Sequence, residues 1–522
     1  MQNEEKMGSG PTAPLALELR GVGKSFGLIR ANHNINLQIQ TGTIHGIIGE
    51  NGAGKSTLMN IVYGMHQRDE GEIYIGGEAV DFRSSSDAIS HGIGMVHQHF
   101  MLVPTFTVLE NVMLGSEGGV LLRDGKAAAR ARIKEISDTY GLSVDPDAMV
   151  SDLNVGQRQR VEIVKALKGG ANVLILDEPT GVLTPQEAAQ LFEILRVLRN
   201  RGVAVLLITH KLAEIMEITD AVDIMRQGAI VGHRKTVETS PAELAELMVG
   251  RKVLLEVERQ NAATGEARLT AKGLGYTNKQ GVIELENVSF ELRAGEILGV
   301  AGVSGNGQSQ LMEVLAGMRP LSTGTIDILG TQVTPSSETN PRVIRDLGVA
   351  HIPEDRHKHG LVLQFEAREN MILGQQDDDL AGPGKLLDPA RIDANCREKM
   401  REFDVRPASP PHKAKNFSGG NQQKIVIARE FSTNPDVLLV GQPTRGVDVG
   451  AIEAIHEQLQ ALKGQGCAIL LVSVELDEIM SLSDRILVLC NGRNVGIVAS
   501  DEADRQTLGL MMAGQRREAL PV

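Results

Sequence analysis

The sequence predicts an α/β protein of two tandem domains, each built mainly on a parallel, doubly wound sheet with a smaller antiparallel part. Three observations predict this fold class: the length, an internal repeat, and short apolar runs that alternate with helical patterns. The chain has 522 residues, which is too long for a single hydrophobic core. Its apolar fraction of 42% and charged fraction of 23% are those of an ordinary globular protein.

The composition excludes several classes of protein. With 53 basic and 66 acidic residues, the formal charge is −13, which argues against a nucleic-acid binder because such proteins usually carry a basic surface. Cys396, Cys467 and Cys490 are too few for a disulfide framework and indicate a reducing compartment. No apolar run is long enough for a transmembrane helix, and the first ten residues lack the apolar segment of a signal peptide. We therefore expect a cytoplasmic protein that needs a partner if it works at a membrane.

An internal repeat defines the two domains. The segment IHGIIGENGAGKSTLMNIVYG, which starts at Ile44, returns 253 residues later as ILGVAGVSGNGQSQLMEVLAG. LNVGQRQRVEIVKAL, which starts at Leu153, returns 264 residues later as FSGGNQQKIVIAREF, and VLILDEPTGVLTPQE returns at that same offset as VLLVGQPTRGVDVGA. These copies are much longer than a solenoid repeat, so they indicate two homologous domains.

The repeat also sets the expected domain boundaries. We predict a flexible tail over residues 1–14, a first domain over 15–250, a linker over 251–266 and a second domain over 267–515. The tail contains a Gly-Ser-Gly segment and two prolines, and the linker is polar and irregular. Because the linker is short, we expect the two domains to stay close in space.

Within each copy the elements follow a common order. LALELRGVGKSF and GEIYIGGEAV alternate in polarity and predict antiparallel strands near the start of the first copy. HGIIG and LILDE are short apolar runs typical of buried strands, whereas STLMNIVYG and QRQRVEIVKALKGG have helical spacing. Strands that alternate with helices favour a mainly parallel sheet.

A glycine-rich loop follows the first buried strand. GENGAGKST fits the pattern G-x-x-x-x-G-K-[ST] between an apolar run and a helical pattern, which is the context a phosphate-binding loop requires. Glycines let backbone N–H groups converge on phosphate oxygens at a helix N-terminus; Lys55 would add a positive charge for the β- and γ-phosphates, and Ser56 a hydroxyl for Mg²⁺. The alternative is a glycine-rich turn with a surface lysine. The predicted nucleotide-binding residues of this loop are Gly49, Glu50, Asn51, Gly52, Ala53, Gly54, Lys55, Ser56 and Thr57.

Two adjacent carboxylates end the strand-like run LILDEPT. Asp177 would join the metal shell, and Glu178 would act as the base that polarises the attacking water. The alternative is a helix-capping pair, since Asp and Glu favour helix starts. The glycine loop upstream in the same domain favours the catalytic interpretation.

The order of these motifs resembles the ATP-binding subunit of ABC transporters over about residues 15–515. The resemblance implies two P-loop ATPase domains, each with a mainly parallel sheet, an antiparallel β subdomain and a helical subdomain. It implies that Gln98 in MVHQHF binds the metal, acts in catalysis and links the site to a membrane partner, and that His210 in LITHKL contacts the γ-phosphate. Phe26 and Tyr276 would stack on adenine, and the alternative for both is core packing.

The second copy departs from this pattern in its catalytic residues. Gln308, Gly441, Gln442 and Val474 stand where the first copy has Lys55, Asp177, Glu178 and His210, and Glu354 replaces Gln98. Other parts of the second copy are retained. The retained residues, which we predict to bind nucleotide, are Gly302, Gly305, Gly307 and Ser309 in its loop, Ser418, Gly419 and Gly420 in its signature segment, and Asp448 beyond it. The first copy instead has the signature Asn154-Val155-Gly156, with Thr184 at the position of Asp448.

This segregation has a simple consequence in the resembled family. There the two domains pair head to tail, and each nucleotide lies between the glycine loop of one domain and the signature of the other. Applied here, every intact element falls in one composite site and every altered element in the other, whereas random drift would scatter losses over both. We expect one site that hydrolyses ATP and one that binds it without turnover through backbone amides.

The resemblance also implies partners and a role. It implies an ATPase, with ATP and Mg²⁺ as cofactors and no nucleic-acid partner, that lies peripherally on the cytoplasmic face of the membrane. Its partners would be two integral membrane permease subunits and, indirectly, an extracytoplasmic substrate-binding protein. Tandem domains with a degenerate second half resemble bacterial monosaccharide and nucleoside importers, and MVHQHFMLVPTFTVLENVMLG and IPEDRHKHGLVL resemble the nucleoside branch.

Three alternatives stay open. The first is the same role for monosaccharides of the ribose or galactose type. The second is a soluble tandem ATPase acting on ribosomes, against which the short linker, the acidic charge and the single altered site argue. The third is a nucleotide sensor without turnover, which the intact Glu178 and His210 disfavour.

Overall fold

The computed structural model describes residues 14–27, 29–97, 100–115, 122–181, 183, 185–252, 264–303, 305–376, 387–447 and 449–515. The chain divides into two compact units, Met1–Val253 and Leu254–Val522. Most of the predicted tail and most of the predicted linker lie outside the described residues, and the predicted domain boundaries stay predictions.

The first unit combines ten strands with eight α-helices in its described part. Its strands are β1 (Leu15–Phe26), β2 (Ile29–Gln40), β3 (Ile44–Gly49), β4 (Glu70–Ile75), β5 (Glu78–Val80), β6 (Ile93–Val96), β7 (Val173–Asp177), β8 (Ala204–Ile208), β9 (Ala221–Arg226) and β10 (Ala229–Lys235). Its helices are α1 (Lys55–Val62), α2 (Ser85–Ser90), α3 (Val108–Met113), α4 (Leu122–Tyr140), α5 (Val155–Lys168), α6 (Pro185–Asn200), α7 (Leu212–Ile218) and α8 (Pro241–Val249).

Two sheets organise this unit. The first has four strands in the order β2-β1-β4-β5, all paired antiparallel. The second has six strands in the order β10-β9-β3-β8-β7-β6, and every pair in it is parallel except β9 with β10. The predicted α/β class, with a mainly parallel sheet and an antiparallel part, is confirmed.

The six-stranded sheet is buried on both faces, as its continuous apolar strands predict. Alternate residues of β8 belong to different cores because successive side chains of a strand point to opposite faces. Leu206 and Ile208 pack in the core that the antiparallel sheet and α1 cover, whereas Val205 and Leu207 pack against α3 to α6.

The second unit repeats these elements. Its strands are β11 (Ala267–Thr277), β12 (Ile283–Arg293), β13 (Ile297–Ala301), β14 (Thr323–Ile328), β15 (Thr331–Val333), β16 (Val349–Ile352), β17 (Val437–Gly441), β18 (Ala468–Val472), β19 (Arg485–Cys490) and β20 (Arg493–Ala499). Its helices are α9 (Gln308–Leu315), α10 (Pro341–Asp346), α11 (Ala367–Met371), α12 (Pro389–Glu402), α13 (Gly419–Phe431), α14 (Val449–Gly464), α15 (Leu476–Leu482) and α16 (Arg505–Met512).

Strand order in the second unit matches that in the first. The antiparallel sheet runs β12-β11-β14-β15, and the six-stranded sheet runs β20-β19-β13-β18-β17-β16. The sequence repeat is therefore a repeat of topology as well. Among the helices that the structure describes, none combines the length and the apolar character needed to cross a bilayer.

The strand order brings three strand ends together in the first unit. β3, β8 and β7 are parallel neighbours, so their carboxyl ends meet at one edge of the sheet. The glycine loop follows β3, Asp177 ends β7, and His210 comes two residues after β8. Open α/β sheets bind ligands at this edge.

Candidate active site

The glycine loop of the first unit has a backbone that glycine alone can supply at two positions. A Cβ atom at Gly49 would lie 2.4 Å from the carbonyl oxygen of Met225. Gly54 has φ of +99°, and a Cβ there would lie 2.5 Å from the carbonyl oxygen of Ala31. The loop therefore turns tightly from β3 into α1, which begins at Lys55. Its N-terminal amides form the kind of site that binds phosphate.

Lys55 is held inside this loop. Its side chain is buried, and its Nζ donates hydrogen bonds to the carbonyl oxygens of Gly49 at 2.6 Å and of Glu50 at 3.1 Å. Burial lowers the pKa of Lys55, while the nearby charges of Glu178 and Asp177 raise it. The ammonium thus interacts electrostatically with both carboxylates. A phosphate oxygen is a stronger acceptor than a carbonyl oxygen and could replace one of the two carbonyl partners.

The two carboxylates at the end of β7 have different environments. Burial, and then the charge of Glu178, raises the pKa of Asp177 to about 6. The pKa of Glu178 is instead lowered, because the hydrogen bond from His210 lowers it more than burial raises it. Two adjacent carboxyl groups whose pKa values are pushed apart are typical of divided roles in catalysis.

His210 is the partner of Glu178. Its Nδ1 lies 2.9 Å from Oε1 of Glu178, and the two side chains are 37% and 19% exposed. The backbone N–H of Glu178 also donates to the carbonyl oxygen of Ile208, at 2.9 Å, which fixes the turn after β7 against the end of β8. Glu178 is therefore ionised at neutral pH and held in one orientation, as a general base requires.

Glu214, which the sequence did not point to, holds the loops of Glu178 and His210 together. It is buried on α7 and accepts hydrogen bonds from the hydroxyls of Thr180, in the turn after Glu178, and of Thr209, at 3.0 Å, just before His210. It therefore ties together the two loops that carry the catalytic pair. The second copy also has a glutamate, Glu478, at the equivalent position, but that side chain contacts His456, so the repeat does not indicate the link between the two loops.

Two predicted site residues cannot be placed. Gln98 and Asp448 lie outside the described residues, so their roles stay predictions. Ser56, the second predicted metal ligand, is exposed in the first turn of α1 beside Lys55.

The two aromatic residues predicted to stack on adenine lie in different surroundings. Phe26 is 45% exposed at the end of β1, where its ring and that of His66 form a T-shaped contact with centroids 5.3 Å apart. Tyr276 is only 7% exposed, and Arg319 lies 5.0 Å from its ring centroid and donates to its hydroxyl at 3.0 Å. The burial of Tyr276 favours the core-packing alternative, and the adenine role of both residues stays a prediction.

The second unit keeps the backbone of this site with other side chains. Gln308 is buried like Lys55, and its Nε2 donates to the carbonyl oxygen of Val303 at 3.1 Å. Gln442 has the same positive φ as Glu178, +50° against +46°, and its Oε1 accepts a hydrogen bond from the N–H of Val474 at 3.2 Å. The site retains its shape without the cation, the base or the histidine.

The second site has also lost its metal-binding carboxylate and glutamine, although it keeps the glycines of its loop. Gly441 replaces the carboxylate of Asp177, and a Cβ at this glycine would lie 2.8 Å from the backbone nitrogen of Glu354. Glu354 accepts a hydrogen bond from the hydroxyl of Ser309, and burial raises its pKa. Gly302, Gly305 and Gly307 remain, with φ of +91° and +102° at the last two. Backbone amides are therefore still available to a phosphate.

The signature segments differ in the charge beside them. Ser418 caps α13, and a Cβ at Gly419 would lie 2.6 Å from a terminal nitrogen of the Arg356 guanidinium. In the first unit, Asn154 caps α5, and a Cβ at Gly156 would lie 2.8 Å from a carboxylate oxygen of Glu187. A basic neighbour favours a bound phosphate at the second signature, and an acidic neighbour opposes one at the first.

Fold and site together define a P-loop nucleotide hydrolase with two copies of one domain. A model of the ABC transporter family matches residues 32–181 and 285–445, so it covers both copies and more than half of the chain. The chain belongs to the ABC transporter family, as one of its ATP-binding, ATP-hydrolysing proteins.

Relatives with similar sequences match over nearly the whole chain. The nucleoside import ATP-binding protein NupA of Lactococcus lactis subsp. cremoris (strain MG1363) is 44% identical over 95% of this chain and 98% of its own length. The guanosine import ATP-binding protein NupO of Bacillus subtilis (strain 168) is 45% identical over 96% of this chain and 98% of its own. The glucose import ATP-binding protein TsgD13 of Haloferax volcanii is 43% identical, over 95% and 96%.

Proposed function

We propose that this chain hydrolyses ATP at one competent site and thereby drives import of nucleosides through separate membrane subunits. The competent site would combine the first copy's glycine loop, Asp177, Glu178 and His210 with the second copy's signature, which begins at Ser418. The observation that carries this proposal is the complementary division of chemistry. The ordered base and the buried lysine belong to one copy, and the Ser-Gly-Gly segment with its basic neighbour belongs to the other.

The proposed hydrolysis uses groups that the first copy holds in place. Amides of the glycine loop and the ammonium of Lys55 would bind the β- and γ-phosphates of ATP. Glu178, ionised and oriented by His210, would accept a hydrogen bond from a water molecule and withdraw its proton as the water oxygen attacks the γ-phosphorus. The bond to the bridging oxygen then breaks, and ADP and phosphate are released.

Mg²⁺ would be held by Ser56, Asp177 and Gln98. The described part of this set fits the ion, because a hydroxyl and a carboxylate are the hard oxygen ligands that Mg²⁺ prefers. The raised pKa of Asp177 also fits, since a cation beside it would remove the repulsion from Glu178. When bound, the ion supplies neutralisation of the charge that develops on the phosphoryl oxygens.

The second site would bind ATP without turnover. Gln308 brings no positive charge, Gly441 no metal ligand and Gln442 no base. The glycine loop after β13 still offers backbone amides, and these suffice for binding in other phosphate loops. ATP at this site would then favour a closed pairing of the two domains without triggering its release.

The proposed partners follow from the relatives. All three are called import ATP-binding proteins, and each matches more than nine-tenths of this chain. We therefore infer two integral membrane permease subunits and, indirectly, an extracytoplasmic substrate-binding protein, with this chain peripheral on the cytoplasmic face. Closure on ATP would move the permeases, and hydrolysis would reverse that movement.

A transport assay decides the cargo. Cells that lack the gene, and the same cells supplied with it, take up labelled nucleosides, pentoses and hexoses in parallel. We expect nucleoside uptake to depend on the gene, and a Glu178→Gln copy not to restore it. Dependence of hexose or pentose uptake instead would favour the monosaccharide alternative, which the glucose-import relative supports. Sedimentation with ribosomes and no effect on uptake would favour the soluble ATPase.

A further inference from the structure

Three metal-binding side chains meet in the first unit, in a cluster separate from the catalytic residues. Nε2 of His45 lies 2.6 Å from one carboxylate oxygen of Asp223, and Nδ1 of His233 lies 3.2 Å from the other. One ligand atom from each of the three residues lies within 4.8 Å of those from the other two. The two imidazole rings stack with centroids 5.9 Å apart.

The sheet places these residues on one face. His45 lies on β3, Asp223 on β9 and His233 on β10, three neighbouring strands. Asp223 is the register partner of His233, and on its other side it pairs with Ile47, two residues beyond His45 along β3. The cluster therefore lies on the face of Ile47, which belongs to the core beneath the antiparallel sheet.

The second unit fills the equivalent positions with apolar side chains. The residues there are Leu298 on β13, Leu487 on β19 and Ile497 on β20, with Leu487 the register partner of Ile497. All three belong to or pack on one hydrophobic core. The fold therefore does not need a polar trio at this place.

The inner members of the polar trio are also buried. His45 and Asp223 are each only 4% exposed, and burial of polar groups is unfavourable unless they gain strong partners. His233 is the outer member, with a side chain 59% exposed, so water reaches the cluster from one side. A ligand bound by all three groups would add to the contacts with Asp223 that already compensate for this burial.

We propose that His45, Asp223 and His233 bind a first-row divalent metal ion, with Zn²⁺ as the fitting representative. Two imidazole nitrogens and one carboxylate oxygen are ligands of catalytic-type zinc sites, in which water takes the open fourth position. Zinc–ligand bonds of about 2.0–2.2 Å place ligand atoms about 3–3.5 Å apart, so small side-chain rotations suffice here. Nitrogen ligands distinguish this site from the all-oxygen set proposed for Mg²⁺.

Bound metal would join the strand that leads into the phosphate loop to the β9–β10 hairpin. His45 lies four residues before Gly49, the first residue of that loop. We therefore expect the ion to stabilise the first unit, and its binding does not depend on the cargo or on the pairing of the two copies.

The test measures binding of Zn²⁺ to the full chain, expressed without a polyhistidine tag and stripped with a chelator. Calorimetry without nucleotide gives stoichiometry and affinity, and the visible absorption of substituted Co²⁺ reports the coordination geometry. The key variant is His45→Leu/Asp223→Leu/His233→Ile, which copies the apolar trio of the second unit and so is expected to fold. His233→Ala removes the exposed ligand alone, and His91→Ala, an exposed histidine elsewhere in the unit, is the control.

We expect one Zn²⁺ per chain, a higher melting temperature with Zn²⁺, and no binding to this site in the triple variant. His233→Ala should weaken binding at least about 10-fold, since even groups that only orient a ligand contribute about 10–100-fold. His91→Ala should bind as the parent does. If the parent chain binds Zn²⁺ no better than the triple variant or than His233→Ala, the proposal is wrong. Should the triple variant not fold, His233→Ala decides.

Discussion

The two copies share a backbone and divide the chemistry, and this comparison changes how the site is interpreted. Glu178 and Gln442 both adopt a positive φ, and Lys55 and Gln308 both fold back onto loop carbonyls. The strained turn persists in the copy that has lost its base, so it belongs to the strand-to-loop geometry of the fold and is not by itself a sign of catalysis. At these positions only the side chains distinguish the copies.

The comparison also supplies conservative variants. Each altered residue of the second copy shows a side chain that the shared backbone can accommodate. A substitution in the first copy that introduces its counterpart should therefore change chemistry while leaving the fold intact.

The largest expected effect is that of Glu178→Gln, which introduces the residue of the second copy. Loss of the general base should lower the ATPase rate by about 10²–10⁴-fold, because proton transfer contributes on that order. The measurement is phosphate release by the purified chain, with nucleotide binding measured in parallel. Gln442→Glu is the matched control and should not raise the rate, since Lys and His are still missing beside it. Near-normal turnover of Glu178→Gln would disprove the assignment.

The next effect is that of Lys55→Gln. A hydrogen bond to a charged group contributes about 1.5–3 kcal/mol, so loss of the ammonium should weaken ATP binding by about 10–100-fold. Equilibrium binding of a fluorescent ATP analogue measures it. The reverse change, Gln308→Lys, should strengthen binding at the second site and leave the phosphate-release rate unchanged. Equal effects of both changes on turnover would contradict the division between the copies.

The buried position of Asp177 beside Glu178 should make the stability of the nucleotide-free protein depend on pH. Because its folded-state pKa is about 6 and its ordinary value is 3.8, the folded protein holds a proton that the unfolded chain releases. This carboxyl therefore destabilises the nucleotide-free protein increasingly as pH rises from about 4 through about 6, and fully above it. Asp177→Asn should stabilise that state at neutral pH by about 1–3 kcal/mol, and very little near pH 4.

Thermal unfolding over this pH range, without Mg²⁺ and nucleotide, tests the prediction. Asp138→Asn, an exposed change on α4, is the control and should show no such dependence. With Mg²⁺ and ATP present, the order should reverse, because the carboxylate then has a cation to bind. A pH-independent difference between Asp177→Asn and the parent chain would contradict the environment described for this group.

Much of the fold could be predicted from the sequence, because its signals are local. Apolar runs mark β3 and β7, the helical spacing of STLMNIVYG marks α1, and the repeat shows that both copies have one topology. The catalytic loops could be located by motif. The resemblance located His210 and implied a γ-phosphate contact, but its hydrogen bond to Glu178 was not predicted, since that contact depends on two strands being neighbours in the sheet.

What the sequence could not give are contacts between distant segments. Glu214 lies 34 residues from Thr180, and nothing local indicates that its carboxylate joins the two catalytic loops. The burial of Tyr276 under Arg319 depends in the same way on a contact across 43 residues. His45 and Asp223 are 178 residues apart and meet only because β3 pairs with β9.

The smallest predicted effect tests most directly whether the two copies pair. If the signature of the second copy completes the competent site, Ser418→Ala should lower the ATPase rate by about five- to tenfold, the equivalent of one hydrogen bond of about 1 kcal/mol. Under the same pairing, Asn154 would face the site without turnover, so Asn154→Ala, the same truncation at the cap of α5, should leave the rate unchanged. Each change removes one helix cap, so the two have a similar cost in stability, and melting temperatures check this. The informative quantity is the ratio of the two rates, from which the shared loss of a cap cancels. A ratio near one would mean that the signatures do not divide between the sites as the catalytic residues do.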